Sequence, residues 1–398
     1  MPPDFLREAG AIKDEIICLR RDIHQYPELG REEFETAKKV EAYLRELGIT
    51  TRRAADTGVI GLLEGGAAGG TVGLRADMDA LAMQEYSDVP YASKRPGVMH
   101  ACGHDCHTAA LLGTAKILSR LKDRLPGNVK FFFQPDEEGD GGAQRMIDDG
   151  GMEDPKVSAM FGAHVSVGLP TGKIGLRYGK AHAASDEFDI TVKGRSSHAA
   201  RPHEGTDTIA IGAQVVTALQ QYVSRQVDPL EPAVVTIGTF NSKGSQRNVI
   251  SDEVKMTGTI RTLGPEMRRR TAEAVRGIAE GVAKAMGAEA EVVINESYPG
   301  VVNDPAMTEF AGNAVKALLG EDAVVTIPNP SMGTEDFGVF LEHVPGTFYL
   351  AGVCNLEKGT AFPEHNNRFR VDEDALPILS AVHAAVAWDY LFYHRSGL

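Results

Sequence analysis

The chain has 398 residues, of which 42% are hydrophobic and 24% are charged, a composition typical of a globular protein long enough for two domains. Its formal net charge of -14, with no Lys/Arg cluster that stands out, argues against a nucleic-acid or anionic-membrane partner. Because no apolar run approaches the ~20 residues that span a bilayer and the N-terminus lacks a signal-peptide core, we expect a cytoplasmic protein.

The N-terminal half alternates predicted helices and strands. Residues 5–48 predict two amphipathic helices separated by the turn HQYPELG, and the strands VIGLLEG and TVGLRAD follow. A helix from about Cys106 to Leu121 precedes the strand NVKFFFQ, a short helix near 141–149, and the strands SAMFGAHV and KIGLRYG. This alternation favours an α/β domain with a largely parallel sheet.

The pattern changes after His182 to the order strand, helix, strand, strand, helix, strand. The strands are EFDITVKG, AVVTIGTFNS, EVKMTGTIRT and EAEVVINES, and this βαββαβ order is that of a ferredoxin-like α+β unit. The α/β pattern then resumes with helices near 304–319 and 334–343, the strand GTFYLAGV and a last helix near 373–393. We therefore predict an inserted domain at 185–296 within a larger domain formed by 1–184 and 297–398.

Side chains that bind metals cluster beside the predicted strands. In an open parallel sheet, ligands collect beyond the carboxyl ends of the strands. Taken singly, a histidine is usually a core or surface residue and a cysteine a small buried hydrophobe, so the shared position favours a site more than the residue types do. The residues that follow a strand or lead into the helix near 106 are Asp77, Asp79, Cys102, His104, Asp136, Glu137, Glu138, His164 and His365.

The cysteines do not indicate a disulfide scaffold. There are four, at positions 18, 102, 106 and 354, in a long chain. Cys102 and Cys106 are spaced CxxxC without a second pair, which argues against a zinc ribbon or a thioredoxin-like site. Any role of Cys102 is therefore that of a single thiolate among histidines, and we expect its neighbours His100, Cys106 and His107 to pack or to support the site.

The candidate ligands suit a transition metal. Histidine nitrogen, thiolate and carboxylate together favour Mn, Co, Ni or Zn over Mg or Ca. Five protein ligands exceed the three of a typical catalytic zinc, so a pair of ions is plausible. Hydrolysis also needs a carboxylate that is free to move a proton, and the adjacent Glu137 and Glu138 can divide these two roles.

Nine ordered motifs run through almost the whole chain. They are HQYPELG at 24–30, LRADMDAL at 74–81, PYASKRPGVMHACGHDCHTAALLG at 90–113, FQPDEEGDGGAQRMI at 133–147, GAHV at 162–165, SSHAARPHEGTDTI at 196–209, NVI at 248–250, MGTEDF at 332–337 and EHNNRF at 364–369. By these motifs the chain resembles the M20 family of metallopeptidases, in its amidohydrolase branch (subfamily D). That branch includes hippurate hydrolase, N-acyl-amino-acid aminoacylases and hydrolases of indoleacetyl-amino acids.

The resemblance implies roles for individual residues. It places the general base at Glu137, a supporting carboxylate at Asp77 and, in the inserted domain, a histidine aimed at the scissile carbonyl at His198. Asn248 and Arg261 match positions associated with binding the substrate carboxylate. The implied metal ligands are Cys102, His104, Glu138, His164 and His365.

Two departures from the family pattern lie in these motifs. Cys106 stands where the family usually has Gly or Ala, which affects packing or redox sensitivity. Glu364 replaces the usual Leu before His365, and Asn366 follows. These last residues border the implied substrate pocket. The resemblance therefore predicts the apolar acyl or aromatic group typical of the branch less firmly for this chain.

We therefore predict metal-dependent hydrolysis of the amide bond of N-acyl or N-aroyl amino acids, which releases a carboxylic acid and an amino acid. The implied cofactors are two divalent ions per subunit (Mn, Zn, Co or Ni), and the implied assembly is a homodimer through the inserted domain, with a tetramer as the alternative. Rival functions are a dipeptidase or carboxypeptidase on the same fold and a hydrolytic deaminase of an aromatic amine. A non-catalytic metal- or ligand-binding relative is a further alternative, but it would have no use for Glu137.

Overall fold

The chain divides into two compact units. The structure is a computed structural model and describes residues 2–244 and 246–393. The first unit comprises the chain up to Gly179, Val302–Asn329 and the chain from Asp336 onward, and the second comprises Lys180–Val301 and Pro330–Glu335. The predicted insertion at 185–296 lies inside the second unit. The short segment Pro330–Glu335, which the sequence patterns did not distinguish, belongs to it as well.

The regular elements follow the predicted order closely. The helices are α1 (Phe5–Gly10), α2 (Lys13–Gln25), α3 (Phe34–Glu46), α4 (His104–Ser119), α5 (Ala143–Asp148), α6 (Thr208–Arg225), α7 (Pro265–Ala285), α8 (Pro305–Leu319), α9 (Phe337–Leu341) and α10 (Ala375–Tyr393). The strands are β1 (Thr50–Ala54), β2 (Gly58–Leu63), β3 (Thr71–Asp77), β4 (Asn128–Gln134), β5 (Val157–Pro170), β6 (Ile174–Leu176), β7 (Gly179–Lys180), β8 (Ala184–Lys193), β9 (Ser197–His198), β10 (Ala233–Ser242), β11 (Val249–Ile250), β12 (Glu253–Thr262), β13 (Glu289–Glu296), β14 (Val302–Asn303), β15 (Val324–Thr326) and β16 (Gly346–Cys354).

The first unit is built on a mixed sheet with the strand order β1-β2-β4-β3-β5-β16-β6-β15. The central pairs β4-β3, β3-β5 and β5-β16 are parallel, as is β6-β15, whereas β1-β2, β2-β4 and β16-β6 are antiparallel. Strands covered on both faces need continuous apolar sequence, and Phe131, Phe132 and Phe133 of β4 are all buried. The predicted α/β fold class with a mostly parallel sheet is confirmed.

Two buried helices pack in the core of this unit. Most residues of α4 and α10 are buried, and both helices contribute to one hydrophobic cluster with the sheet. The 19-residue helix α10 has a mean hydropathy of 1.4 and is the one helix in the described part of the chain that is long and apolar enough to span a membrane. The expectation that no apolar run approaches that length was wrong. However, 83% of the apolar window is buried within the protein, as in the core helix of a globular domain.

The second unit has an antiparallel sheet with the order β10-β12-β8-β13. Its side chains alternate as expected for a sheet with one covered face, because Phe188, Ile190 and Val192 of β8 are buried while the residues between them are not. The helices α6 and α7 pack on this sheet and share its hydrophobic cluster. This is the predicted βαββαβ arrangement.

Some predicted boundaries differ from the structure. The first predicted helix is broken, since α1 ends at Gly10 and α2 begins at Lys13. The predicted helix at 334–343 is only the five-residue α9. The helix α4 begins at His104 rather than Cys106, because Gly103 adopts a left-handed φ of 98° and lets the chain turn directly into the helix. This last shift makes His104 the first residue of a buried helix.

Candidate metal centre

Four parallel strands position the candidate site. The neighbouring strands β4, β3, β5 and β16 carry their carboxyl ends to the same edge of the sheet. Asp77 is the last residue of β3, and Glu137 and Glu138 follow the end of β4. His164 does not end a strand as predicted, because β5 continues to Pro170. It nevertheless lies at the level where β3 ends, since Gly162 pairs with Arg75.

The structure brings the five predicted ligands together around Cys102. The Sγ of Cys102 lies 3.2 Å from Nε2 of His164 and 3.3 Å from Nε2 of His365. The same nitrogen of His365 lies 3.1 Å from Oε1 of Glu138. Cys102, His104 and His164 form one group of potential ligand atoms and Cys102, Glu138 and His365 form another, with all atoms of a group within 4.8 Å of one another. The two groups share the thiol of Cys102.

The ring of His104 is oriented as a metal ligand would be. Its Nδ1 donates to Oδ1 of Asp79 at 3.1 Å, which fixes the proton on Nδ1 and leaves the lone pair on Nε2. In the described part of the chain this buried Nε2 has no hydrogen-bond partner. It faces Glu137 Oε2 at 3.9 Å and Glu138 Oε1 at 4.0 Å. A buried nitrogen that faces carboxylates without a hydrogen bond fits a position beside a cation.

The ring of His164 is also oriented by a hydrogen bond from Nδ1. Its Nδ1 donates to the backbone carbonyl of Val165 at 2.6 Å, so Nε2 is left to face Cys102. His365 is held by its backbone instead, since its N–H donates to the carbonyl of Ala101 at 2.8 Å. The residues present therefore offer nitrogen, sulfur and carboxylate donors with the free electron pairs directed inward, which fits a divalent transition metal.

Gly103 allows Cys102 and His104 to face one site. Its φ of 98° is unfavourable for residues with a side chain, and a Cβ at this position would lie 2.4 Å from Cγ2 of Val165. The chain thus makes a tight turn against β5 immediately before α4. Because of that turn, two ligands separated by one residue both reach the sheet edge.

Asp77 lies behind the ligands, as the family resemblance implied. Its carboxylate accepts from Nη1 of Arg75 at 2.6 Å and from Nδ1 of His107 at 2.5 Å, and it lies 3.7 Å from Nε2 of His104. The Nε2 of His107 accepts the N–H of Val165 at 2.8 Å, so this ring is neutral. Burial lowers the pKa of His107 to about 4, in agreement with that tautomer. Asp77 and His107 thus join α4 to the end of β3 and to β5 at Val165.

The electrostatics of the site favour a bound cation. Burial raises the pKa of the Cys102 thiol well above its usual value, so a nearby cation would be needed to hold it as a thiolate. Burial also opposes ionisation of Glu138, but the hydrogen bond to His365 and the charge of His104 lower its pKa to about 2. For His104, burial is outweighed by the carboxylate of Asp77, which raises the pKa of the imidazole. This favours a second proton on Nε2 in the metal-free site, and a bound cation would displace that proton and take the lone pair.

The roles of several supporting residues were not predicted. Asp79 accepts from His104 and also accepts the N–H of Glu138 at 2.9 Å, so it connects two ligands. Its position two residues after Asp77 in LRADMDAL was a usable signal. Glu33, which accepts the N–H of Asp136 at 2.9 Å, and Asp336, which accepts from Arg75 at 2.8 Å, are distant in sequence and gave no local signal.

The remaining residues of the cysteine and histidine motifs have structural surroundings. Cys106 is fully buried in the core of the first unit. His100 is buried, and neither of its ring nitrogens has a hydrogen-bond partner among the described residues. Glu364 is half-buried and accepts the backbone N–H of Val167 at 3.3 Å, and Asn366 accepts that of Arg368 at 2.9 Å. The carboxylate of Glu364 is thus directed at the end of β5.

The second unit holds the other predicted site residues. His198 in β9 pairs with Val249, and the carbonyl of Asn248 accepts the N–H of Ala199 at 3.0 Å, so His198 and Asn248 are neighbours. The Nδ1 of His198 accepts the N–H of Ala200 at 3.0 Å, which leaves Nε2 of the exposed ring to act as the donor.

Arg261 lies elsewhere in the second unit. It pairs with Ser185 at the start of β8, whereas His198 follows the end of β8, where Lys193 pairs with Glu253. The eight steps along the strand from position 253 to position 261 span about 27 Å at ~3.4 Å per residue. The second unit therefore carries Arg261 and the pair His198 and Asn248 at opposite ends of its sheet. Nη1 of Arg261 is buried without a hydrogen-bond partner in the described chain.

Comparison with known proteins identifies relatives over the whole chain. The profile of the peptidase family M20/M25/M40 matches residues 73–389. Thermostable carboxypeptidase 1 of Saccharolobus solfataricus is 41% identical over 381 residues, which cover 94% of this chain and 95% of that protein. The N-acetyl-L-cysteine deacetylase of Bacillus subtilis is 40% identical over 369 residues, which cover 92% of this chain and 86% of that protein.

A solved structure agrees with these relatives. A Bacillus subtilis protein described as a dinuclear metal-binding peptidase of the M20 family superposes with a TM-score of 0.84 at 36% identity, over 96% of this chain and 99% of that chain. The resemblance predicted from the sequence motifs is thus confirmed. A carboxypeptidase and a deacetylase both hydrolyse amide bonds, so the predicted reaction class is confirmed as well. The chain belongs to the peptidase M20 family and is a metal-binding hydrolase of amide bonds.

Proposed function

We propose that the protein hydrolyses N-acyl or N-aroyl amino acids to a carboxylic acid and an amino acid, with two divalent transition-metal ions in each chain. The observation that supports this proposal is the pair of ligand groups sharing Cys102, next to a carboxylate, Glu137, that belongs to neither group. Two groups with one common thiolate suit two adjacent ions. A hydrolase needs a neighbouring carboxylate to move a proton, whereas a metal-storage protein does not.

Each residue then has a defined task. The bound ions supply a polarised carbonyl and a water of lowered pKa. Glu137 accepts the proton of that water and passes it to the nitrogen of the leaving amine, as general base and then general acid. Asp79 and Val165 accept from Nδ1 of His104 and His164, so both rings would hold a metal ion through Nε2.

The second unit supplies substrate contacts. The Nε2–H of His198 is a donor that suits the oxyanion formed at the amide carbonyl. The buried, unpartnered nitrogen of Arg261 suits the carboxylate of an amino-acid substrate. Because Arg261 lies about 27 Å along the sheet from the end that carries His198 and Asn248, one chain cannot readily offer all three to one small substrate. A symmetric homodimer, with His198 and Asn248 acting on the neighbouring subunit's site, resolves this separation.

A carboxypeptidase activity is the second candidate, favoured by the 41% identity to a thermostable carboxypeptidase. A C-terminal peptide bond is also an amide next to a free carboxylate, so the same site would serve. The two functions differ in whether the acyl side is a simple acid or a peptide. The predicted deaminase needs no carboxylate on its substrate and would leave Arg261 without a role.

A substrate panel tests the proposal. The protein is reconstituted with Mn²⁺, Co²⁺, Ni²⁺ or Zn²⁺ and assayed against N-acetyl, N-benzoyl and dipeptide forms of the same amino acids, each with a free and an amidated carboxylate. We expect cleavage of N-acyl amino acids and loss of cleavage on amidation. Preferential cleavage of dipeptides would instead support the carboxypeptidase function. Equal cleavage of the free and the amidated substrates would contradict both proposed functions.

Metal analysis of the same samples tests the number of ions. We expect saturation at two ions per chain, because five ligands overfill one tetrahedral site. Saturation at one ion with all five side chains intact would contradict the dinuclear arrangement.

A further inference from the structure

The turn that carries Glu137 and Glu138 has an unusual backbone. It leaves β4 after Gln134 and enters α5 at Ala143. Within it Asp136 adopts a φ of 58°, a left-handed conformation that a residue with a side chain keeps only where its surroundings hold it. The geometry of the candidate base and of one metal ligand therefore depends on what holds this turn.

One carboxylate holds both ends of the turn. Oδ1 and Oδ2 of Asp336 accept from the side-chain amide of Gln134 at 2.8 and 2.7 Å. Oδ2 also accepts the backbone N–H groups of Gly142 and Ala143, each at 3.0 Å. Asp336 thus bonds the last residue before the turn and the first residues after it.

This use of Asp336 is not explained by its own helix. Asp336 stands at the N-cap position of α9, where aspartate commonly accepts N–H groups of its own first turn, but its side chain makes no such bond. It caps α5 instead, a helix that has no capping side chain of its own. The carboxylate therefore holds the turn between β4 and α5 rather than its own helix.

The same carboxylate is connected to the metal ligands. Arg75 is fully buried and donates from Nη2 to Asp336 at 2.8 Å, from Nη1 to Asp77 at 2.6 Å and from Nε to Gln134 at 2.9 Å. Asp77 in turn lies against His104 and His107. A single buried arginine therefore sets the spacing between the turn and the residues behind His104.

We infer that Asp336 is a positioning residue that sets the placement of Glu137 and Glu138 relative to the metal ligands. The inference rests on the proposed function, to which it adds a residue outside the predicted set of metal ligands. A carboxylate oxygen of Asp336 also lies within 4.8 Å of one of Glu137. Asp336 acts at the two ends of the turn, whereas Glu33 and Asp79 each hold one N–H group within it. Removal of a residue that supports metal ligands from behind typically costs 10- to 100-fold in metal affinity or activity.

The test is Co²⁺ binding by the full chain carrying Asp336→Asn, because the amide cannot accept from all of these donors. We expect at least about tenfold weaker Co²⁺ affinity than the natural chain and an altered visible spectrum of the bound ion. For any cleaved substrate, kcat should fall at least about tenfold while KM changes less than about twofold, since the substrate contacts are untouched.

Asp372→Asn is the matched control. Asp372 is a buried carboxylate of the same unit that accepts from Lys358 at 2.6 Å, from Asn355 at 2.8 Å and from the N–H of Asp374 at 3.2 Å. Its loss removes a comparable buried network without touching the turn. We expect a lower melting temperature for this variant but the Co²⁺ affinity and spectrum of the natural chain.

A second variant is needed in case Asp336→Asn does not fold, since a buried arginine that loses its charged partner is destabilising. Asp336→Glu keeps the charge beside Arg75 but moves the carboxylate by one methylene, and we expect the same loss of Co²⁺ affinity. A folded variant of either kind with unchanged Co²⁺ affinity and spectrum would overturn the inference. Because Co²⁺ binding requires no substrate, this result is independent of the panel that tests the proposed function.

Discussion

Glu137 and Glu138 are adjacent in sequence but have different surroundings. Oε1 of Glu138 lies 3.1 Å from His365, and its backbone N–H donates to Asp79. Glu137 lies 3.9 Å from Nε2 of His104 and belongs to neither group that contains Cys102. His104, Glu137 and Glu138 also form a group of potential ligand atoms. At the scale of single residues, the assignment of Glu138 as ligand and Glu137 as base therefore rests on the contacts of Glu138 with His365 and Cys102, which Glu137 does not share.

Substitution of the two glutamates should separate these roles. In Glu137→Gln we expect turnover to fall at least ~10²-fold with metal content nearly intact, because the amide keeps the shape but cannot accept a proton. Glu138→Gln should instead lose metal. Metal analysis and activity on the same preparations measure both effects, and the opposite pair of phenotypes would mean that the two roles are exchanged.

Glu33 should make the stability of the metal-free protein depend on pH. Its carboxyl is fully buried, and burial raises its pKa from 4.5 to about 7 despite the hydrogen bond from Thr57. Between these values the folded chain keeps the proton that the unfolded chain releases, so stability falls as the pH rises. The full effect is about 3 kcal/mol or less above pH 7.

Urea unfolding of chelator-treated protein at pH 5 and pH 8 measures this effect. Glu33→Gln removes the ionisable group but keeps an acceptor for the N–H of Asp136. The free energy of unfolding of this variant minus that of the natural chain should therefore be more positive at pH 8 than at pH 5. An equal difference at the two pH values would show that Glu33 does not titrate in this range.

At the scale of elements, the start of α4 decides whether the site forms. Gly103→Ala would place a Cβ 2.4 Å from Val165 in a backbone conformation with φ 98°. We expect a loss of stability of at least about 1 kcal/mol and a large loss of metal affinity, because Cys102 and His104 would no longer face the same point.

Gly48→Ala is the control for backbone strain alone. Gly48 has a φ of 74°, but nothing lies within 4 Å of a Cβ at this position. This variant should lose stability without losing metal. Equal metal affinity in Gly103→Ala and the natural chain would contradict the role of the turn.

At the scale of the whole molecule, the separation between Arg261 and His198 within one second unit supports a site completed by two chains. His198→Ala removes the donor, and Glu137→Gln removes the base, so each homodimer should be inactive. Loss of one oxyanion donor typically costs ~2.7–4 kcal/mol of transition-state stabilisation.

Subunit exchange between these two inactive variants tests the arrangement. In a mixed dimer one site would combine an intact Glu137 with an intact partner His198, so activity should return. Mixed dimers that stay inactive, although each variant is folded and metal-loaded, would place His198 in its own chain's site or outside catalysis.

Local sequence was sufficient for most elements and for the site residues as a set. The strands β4, β10 and β12 have the predicted limits, because turn residues bound their apolar or alternating patterns. The five predicted ligands meet because parallel strands deliver their carboxyl ends to one edge, a consequence of topology that alternating helices and strands already imply.

Only the tertiary structure decided how these residues are held. Asp336 contacts Gln134 across 202 positions of sequence, and Glu33 contacts Asp136 across 103, so no local pattern could reveal either bond. The start of α4 at His104 depends on a left-handed glycine packed against β5. Local patterns predict elements because propensity and periodicity act over a few residues, whereas buried polar partners are selected only when the folded chain excludes water and every donor must find an acceptor.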